Sequence, residues 1–315
     1  MCLIPNIIKT PLNYTGNKSR ILDQILPLFP KRINRFVDLC CGGATVGLNV
    51  VDISNEVICL DIKKEVIELL QTLLLFPEKT IVTKIEEIIK KYELSDTFNN
   101  GYDIYKKNLD GNNGLKNINK DGYLKLRDYF NNFNLDPYNK ALHLLTLISY
   151  CFNNDIRFNS CGKFNMPIGK TDFNGNIRDK LKSFKNGTNG KNIKFYLADL
   201  EIVKEFELGK NDFVYIDPPY LITNAVYNEN DGWGERQEKR LLETLNYLHK
   251  TGVKFALSNV LSKEGRINTI LESWIKKNGF KVVDINYHYR SASYNKKNRQ
   301  ANEREVVVLN YEPSE

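Results

Sequence analysis

The chain predicts an α/β fold built on a largely parallel sheet that a C-terminal antiparallel hairpin closes. Three observations carry this. Short apolar runs at 36–39, 57–60 and 213–216 each contain or meet an aspartate where the run ends (Asp38, Asp61, Asp217), as buried parallel strands do at their ligand-holding carboxyl ends. Helical segments with 3.6-residue apolar spacing, such as Gln237–His249, follow such strands. The last strand-like stretches, Val282–Tyr289 and Glu303–Tyr311, pair as the closing hairpin.

Taken in order, residues 11–20 (PLNYTGNKSR) make a Gly16-containing turn, and Ile21, Leu22, Ile25, Leu26 and Leu28 follow at helix spacing. That turn presents backbone N–H groups and Lys18 to a carboxylate, or is a solvated cap with a surface lysine. The next unit, Phe36-Val37-Asp38-Leu39-Cys40-Cys41-Gly42-Gly43-Ala44, is a strand, a small-residue turn and a helix start. Gly42 and Gly43 let a ligand approach the backbone. The spacing is not G-x-G-x-x-G, so a dinucleotide pyrophosphate is not the guest it suits best. The strand 57–62 follows, and Asp61 is placed there to accept from ribose hydroxyls. This reads as nucleoside binding; a tight turn with a surface acid is the plainer alternative.

Glu65–Phe76 and Pro77–Tyr92 read as helices, the second with Ile81, Ile85, Ile88 and Ile89 on one face. Between Ser95 and Gly122 the chain is rich in Asn, Gly, Asp and Lys, the composition of surface loops or a loose linker. Asp136-Pro137 opens an apolar helix that runs towards Tyr150. The polar segment from Phe152 to Lys170 then alternates amides, cations and aromatics with turn residues. In a nucleic-acid groove, Arg157 could read guanine, Asn153, Asn159 and Asn165 could read adenine, and Phe152 could wedge into a base step. An ordinary polar hairpin fits the same residues. Asn192–Leu200 is a strand ending at Asp199, Lys254–Asn259 is another, and Arg266–Lys277 is a helix. The basic stretch Arg290–Arg304 reads as a tip near phosphates or a solvated loop.

The stretch around which the chain is organised is Tyr215-Ile216-Asp217-Pro218-Pro219-Tyr220. Two prolines cannot donate to a ladder, so the strand stops there and leaves Asp217 and Tyr220 at a rigid carboxyl end. Asp217 and the Pro218 carbonyl accept hydrogen bonds, and Tyr220 offers a flat face. The set suits a planar group with an amino function, such as an extruded adenine.

Composition bounds the rest. The 315 residues have room for one large α/β domain with an insertion, or for two domains. A formal charge of +7 fits a polyanionic partner without requiring one. The six cysteines lack CxxC spacing and there are three histidines, so no metal site is expected and reduced thiols are. No apolar run reaches membrane-spanning length and no signal pattern opens the chain, so the expectation is a soluble, cytoplasmic protein with no membrane partner.

Together these residues resemble the Dam-type DNA adenine-N6 methyltransferases of restriction–modification systems. Tyr14, Gly16 and Lys18 are similar to that family's N-terminal cofactor motif, and Asp38 to Ala44 to its acid-x-Phe-x-Gly-x-Gly motif. Cys40 stands in place of the Phe and Ala44 in place of the second Gly. Asp61 matches the ribose acid, Asp199 the residue near the cofactor adenine, and Arg157 to Gly169 a motif that in the family follows a hairpin entering the target site, with Arg157 in the place of a base-reading arginine. Phe152 takes the place of an inserting aromatic.

The resemblance implies a Rossmann-like methyltransferase sheet over residues 1–62 and 192–315, with an inserted, mainly helical target-recognition domain over 63–191. It implies S-adenosylmethionine as cofactor, held by Tyr14, Gly16, Asp38, Cys40, Gly42, Gly43, Asp61 and Asp199. Asp217, Pro218, Tyr220 and Lys18 become the catalytic set, acting on a flipped adenine in double-stranded DNA. A cognate endonuclease acting on the same site without a stable complex would complete the system. A silent DNA-binding relative and an RNA or protein amide methyltransferase stay open as alternatives.

Overall fold

The structure, a computed structural model, describes residues 7–108, 113–222, 232–286 and 303–313. The chain divides into two compact units: Lys18–Ile62 with Asn192–Glu315, and Asn6–Asn17 with Lys63–Lys191. Residues 6–17, expected with the sheet, group instead with the second unit.

The first unit is a sheet of β1 (Ile33–Leu39), β2 (Ser54–Asp61), β3 (Ile193–Leu197), β4 (Phe213–Ile216), β5 (Lys254–Lys263), β6 (Arg266–Ile267), β7 (Lys281–Asp284) and β8 (Glu303–Leu309). Its order is β3-β2-β1-β4-β5-β8-β7, with β6 paired to β5. The pairs among β1 to β5 are parallel, whereas β8 runs antiparallel between β5 and β7. The closing hairpin thus forms, though its outer strand stops at Asp284 rather than Tyr289. The expected basic tip at Arg290–Arg304 lies outside the described residues up to position 302.

All four residues of β4 are buried, because a central parallel strand is covered on both faces. On one face Val37, Leu39, Val214, Ile216, Phe255 and Leu257 meet the apolar stripe of helix Glu235–Lys250, through Leu241, Leu245 and Leu248. On the other, Phe29, Phe36, Phe213 and Tyr215 form an aromatic cluster, with Phe29 and Phe213 centroids 4.9 Å apart. The helix expected from Arg266 begins only at Thr269, since Arg266–Ile267 pairs with β5 and Asn268 caps the helix by accepting from the Leu271 N–H.

The second unit is mainly helical: Lys64–Leu75, Glu78–Lys91, Lys116–Asn132, Pro137–Tyr150 and Gly175–Thr188, with the short helix Thr97–Asn100 before the third and an irregular hairpin before the last. Its axis is Pro137–Tyr150, in which every residue from Ala141 to Tyr150 is buried. Asp136 caps it by accepting from the Asn139 N–H, with Pro137 at the first helical position.

Two corrections arise here. The segment 95–122 is not loop throughout: a helix begins at Lys116, and Gly122 sits inside it because any Cβ there would collide with the Tyr92 carbonyl oxygen. Asn119, a residue of loop-like composition, is buried, accepting from the Ser95 N–H and donating to the Ser95 hydroxyl. No sequence expectation covered helix Gly175–Thr188, which Asn174 caps through the Asn176 and Ile177 N–H groups.

Candidate functional site

In the first unit the carboxyl ends of β1, β2 and β4 lie side by side, with Asp38 in register with Tyr215 and Leu39 with Ile216. Strand order proceeds one way through β1, β2 and β3 and the other way through β4 and β5. The crevice between β1 and β4 is therefore the topological switch point, where open α/β sheets bind ligands. Asp38, Asp61 and Asp217 all stand there.

Asp38 and Asp61 are nearly sealed, at 2% and 7% exposure. Asp38 accepts from the Gly47 N–H at 2.9 Å, and Asp61 from the Gly42 N–H at 2.8 Å. Gly47 is forced: a Cβ there would lie 2.5 Å from the Cys59 sulfur and 3.1 Å from Asp38 Oδ2. Burial pushes the Asp38 carboxyl up to about 8 against that hydrogen bond, and the charges of Asp217 and Asp61 add to the rise. The turn between strand and helix alternates left-handed residues, Cys40 at φ 61°, Gly42 at φ 50° and Ala44 at φ 58°. The two family departures, Cys40 and Ala44, thus occupy positions where a side chain is strained.

Lys18 is not the solvated surface lysine its turn allowed. It is 3% exposed, and its ammonium meets Asp217 Oδ2 at 2.9 Å, the Tyr220 hydroxyl at 2.7 Å and Glu305 Oε1 at 3.7 Å. The Tyr220 hydroxyl in turn donates to Asp217 Oδ1 at 2.9 Å. Burial, then the neighbouring Asp217, raises the Tyr220 phenol well above its ordinary range, so it stays a neutral donor. Pro218, between the two, is buried.

Sequence reasoning missed Glu305. It opens the apolar run Val306–Leu309, and a charge entering a buried strand was the available signal. Asp199 caps the following turn through the Leu200 N–H and pairs with Arg240 at 2.7 Å. Five cysteines, Cys40, Cys41, Cys59, Cys151 and Cys161, are free thiols, and Cys161 alone of these is exposed.

The second unit holds the other candidates. The Tyr14 ring lies 5.3 Å from the Lys63 ammonium, and Gly16, at φ 84°, makes the turn in which the Asn17 N–H donates to the Tyr14 carbonyl. After helix Pro137–Tyr150 the chain forms a small irregular hairpin, with bridges Cys151 to Ile168 and Phe158 to Phe164. Gly169 closes it, because a Cβ there would strike the Cys151 carbonyl. Phe152 is 49% exposed on a large apolar ring, and Asn153 beside it is left-handed at φ 57°. Arg157 is exposed, its Nε donating to Asn165 Oδ1 at 2.9 Å. Asn159 spends its carbonyl oxygen on the turn, accepting from the Cys161 and Lys163 N–H groups. Phe152, Asn153, Arg157, Asn159 and Asn165 thus lie on one hairpin; Asn159 is partly committed to holding it together.

No group of three or more candidate metal ligands occurs among the described residues, and no helix among them is long and apolar enough to cross a membrane.

Comparison with known proteins bears on both units. A family described as D12 class N6 adenine-specific DNA methyltransferase matches residues 14–290. The chain is 36% identical over 96% of its length to the type II methyltransferase M.FokI of Planomicrobium okeanokoites, and covers 43% of that protein. It is 35% identical over 97% of its length to the modification methylase StsI of Streptococcus sanguinis, again covering 43%. Against the type II methyltransferase M.MjaIII of Methanocaldococcus jannaschii it is 29% identical over 80% of its length and covers 84% of that protein. The chain therefore spans less than half the length of the first two relatives and most of the third.

Proposed function

Because the chain belongs to the D12 class of N6 adenine-specific DNA methyltransferases, we propose that it transfers a methyl group from S-adenosylmethionine to N6 of an adenine extruded from double-stranded DNA. The observation that carries this reading is the joined set Lys18, Asp217 and Tyr220 at the sheet's switch point. The relatives' names, a type II methyltransferase and a modification methylase, support the modification half of a restriction–modification pair, and we infer from that role a cognate endonuclease acting on the same site and a cytoplasmic location.

The cofactor reading agrees with the chemistry at the switch point. Three carboxylates gathered at adjacent strand ends, repelling one another enough to help push Asp38 up, suit a guest that brings positive charge and ribose hydroxyls. Asp61 and Asp38 would hold it, with the turn from Cys40 to Gly43 giving close backbone approach. Asp199 completes the proposed set within this unit, whereas Tyr14 and Gly16 belong to the second unit. When bound, S-adenosylmethionine supplies an electrophilic methyl group.

The chain's own residues have to prepare the nucleophile. The adenine amino nitrogen is weak because its lone pair is delocalised into the ring. Asp217 and the Pro218 carbonyl accept its N–H bonds, which favours a pyramidal nitrogen and returns electron density to it. Neither proline has an N–H to compete. Holding the nitrogen at a rigid strand end supplies the orientation that a direct transfer requires. The base has to leave the stack at a cost of a few kcal/mol, and stacking on Tyr220 recovers part of it. In the second unit, Arg157, the hairpin amides and Phe152 would read the duplex and fill the gap.

The test is a transfer assay with labelled S-adenosylmethionine and unmethylated plasmid, followed by modified-base sequencing. N6-methyladenine at one short recurring sequence is the expected result. Cofactor binding without label in DNA would overturn the DNA reading in favour of RNA or protein substrates; no cofactor binding would leave a silent DNA-binding protein.

A further inference from the structure

Asp217 has two strong donors of its own. Lys18 approaches Oδ2 at 2.9 Å and the Tyr220 hydroxyl approaches Oδ1 at 2.9 Å. Charge-assisted bonds of this kind draw electron density from the carboxylate. A carboxylate that spends its charge on an ammonium has less to give to an arriving amino group. Efficient catalysis therefore asks for a second acceptor to which those donors can turn.

Glu305 has the geometry for that. Its Oε1 lies 3.7 Å from the Lys18 ammonium and 3.5 Å from the Tyr220 hydroxyl, the same two donors that hold Asp217. Glu305 is 5% exposed, so water does not substitute for it. β8 runs antiparallel to the parallel strands, so Glu305, near its start, comes to their carboxyl ends. The register shift on β5 between Val260 and Ser262 falls opposite Glu305 and Arg304.

We propose that Glu305 is a positioning residue which takes over Lys18 and Tyr220 when the amino group of the target base engages Asp217. The proposal rests on the adenine-methyltransferase reading above. It needs only a small movement: Lys18 shifts by about 0.8 Å to bring 3.7 Å to the 2.9 Å it now holds with Asp217. The exchange keeps the ammonium paired throughout, so the buried site never holds an uncompensated cation.

The charge of Glu305 decides whether it can compete. Burial raises its carboxyl above the ordinary glutamate range, Lys18 opposes that rise, and Asp217 and Glu303 add to it. The charged neighbours on the adjoining strands are committed elsewhere: Lys263 of β5 to Glu303, and Asp284 of β7 to Arg304. Among the described residues facing this end, Tyr215 is bonded to Ser258, and Asp38 stands beside it bonded to the Gly47 N–H. As pH falls through the raised Glu305 value, the carboxyl becomes neutral and loses its hold on Lys18, so activity falls on the acid side.

Glu305→Gln keeps the shape and removes the charge. Single-turnover methyl transfer should slow by roughly 10- to 100-fold. DNA affinity and cofactor affinity should stay within about twofold, and KM should hold while kcat falls. The acid limb contributed by Glu305 should vanish from the pH profile, since Gln mimics the neutral carboxyl at every pH. Glu305→Asp should restore part of the rate. An active wild-type enzyme whose Glu305→Gln variant keeps its rate and acid limb overturns the exchange alone. Parallel loss of melting temperature, DNA binding and rate in both variants overturns it in favour of a structural role. A wild-type protein that binds DNA and cofactor but transfers nothing overturns the catalytic reading beneath it, and the exchange with it.

Discussion

The acid row at the sheet's switch point and the Phe152–Gly169 hairpin are organised on opposite principles. In the first, Lys18, Asp38 and Asp61 are each less than a tenth exposed; Lys18 is paired with Asp217 and donates to the Tyr220 hydroxyl, and the two aspartates accept from backbone N–H groups. In the second, Phe152, Asn153 and Arg157 face outward, and it is the backbone that is strapped, through Phe152 to Pro167 and Gly169 to Tyr150. Chemistry on an amino group gains from charges whose reorganisation is completed during folding. Reading a duplex gains from donors still free to choose their acceptors. One region stores order in side chains, the other in backbone.

The comparison breaks most visibly at Asp217. Asp217→Ala should cut methyl transfer by about 10²–10³-fold, since one preorganised acceptor at the reacting atom is lost. DNA binding, measured by gel shift, should be largely unchanged because the hairpin proposed to read the duplex is intact. Normal turnover in that variant would mean the buried row does no chemistry.

That division also explains what was legible beforehand. The parallel strands, the antiparallel close and the strand-end aspartates announce themselves, because buried strands are short apolar runs and Asp217 sits directly before two prolines. Glu305 does not, because its meaning depends on Lys18, far away in the chain and brought close only by the sheet. Helix Lys116–Asn132 is hidden by Gly122, which looks like a breaker and is a close approach to the Tyr92 carbonyl. Asn159, expected to face a base, also holds the turn it stands in through its side-chain oxygen. At Glu305 and Gly122 local chemistry is ambiguous and a distant partner decides, whereas at Asn159 the turn itself does.

The row predicts a pH dependence of stability. The Asp38 carboxyl, ordinarily near 3.8, rises to about 8 in the fold, so the native state holds a proton the unfolded chain releases. Stability conferred by that proton is fully present below the unfolded value and is lost as pH rises towards 8. Thermal melts from pH 5 to pH 9 should show a decline of a few kcal/mol, roughly, and Asp38→Asn should flatten it. An unchanged slope in Asp38→Asn would assign the effect to another group.

On the hairpin side, Arg157→Ala should cost roughly 1–3 kcal/mol of discrimination at one base pair, read from relative methylation rates over a site library. It frees Asn165 from its bond to Arg157 Nε, so specificity should relax rather than vanish. Unchanged preference across the library would remove Arg157 from recognition. Turnover at saturating DNA should stay near wild type, since the acid row is untouched.

The smallest effect sharpens the contrast between side-chain order and backbone order. Both regions hold non-glycine residues in the left-handed region, Ala44 at φ 58° in the row and Asn153 at φ 57° in the hairpin. Asparagine tolerates that conformation through local bonding of its amide, whereas alanine has only the Cβ clash. Ala44→Gly relieves about 1–2 kcal/mol of that clash and returns about 0.5–1 kcal/mol to unfolded-chain entropy. The net gain should be under about 1 kcal/mol in denaturant melts. Asn153→Gly, with less clash to relieve and the same entropy to lose, should be neutral or slightly destabilising. A larger gain at Asn153 than at Ala44 would place the greater strain in the recognition hairpin, and the site's left-handed turn would then be held at no cost.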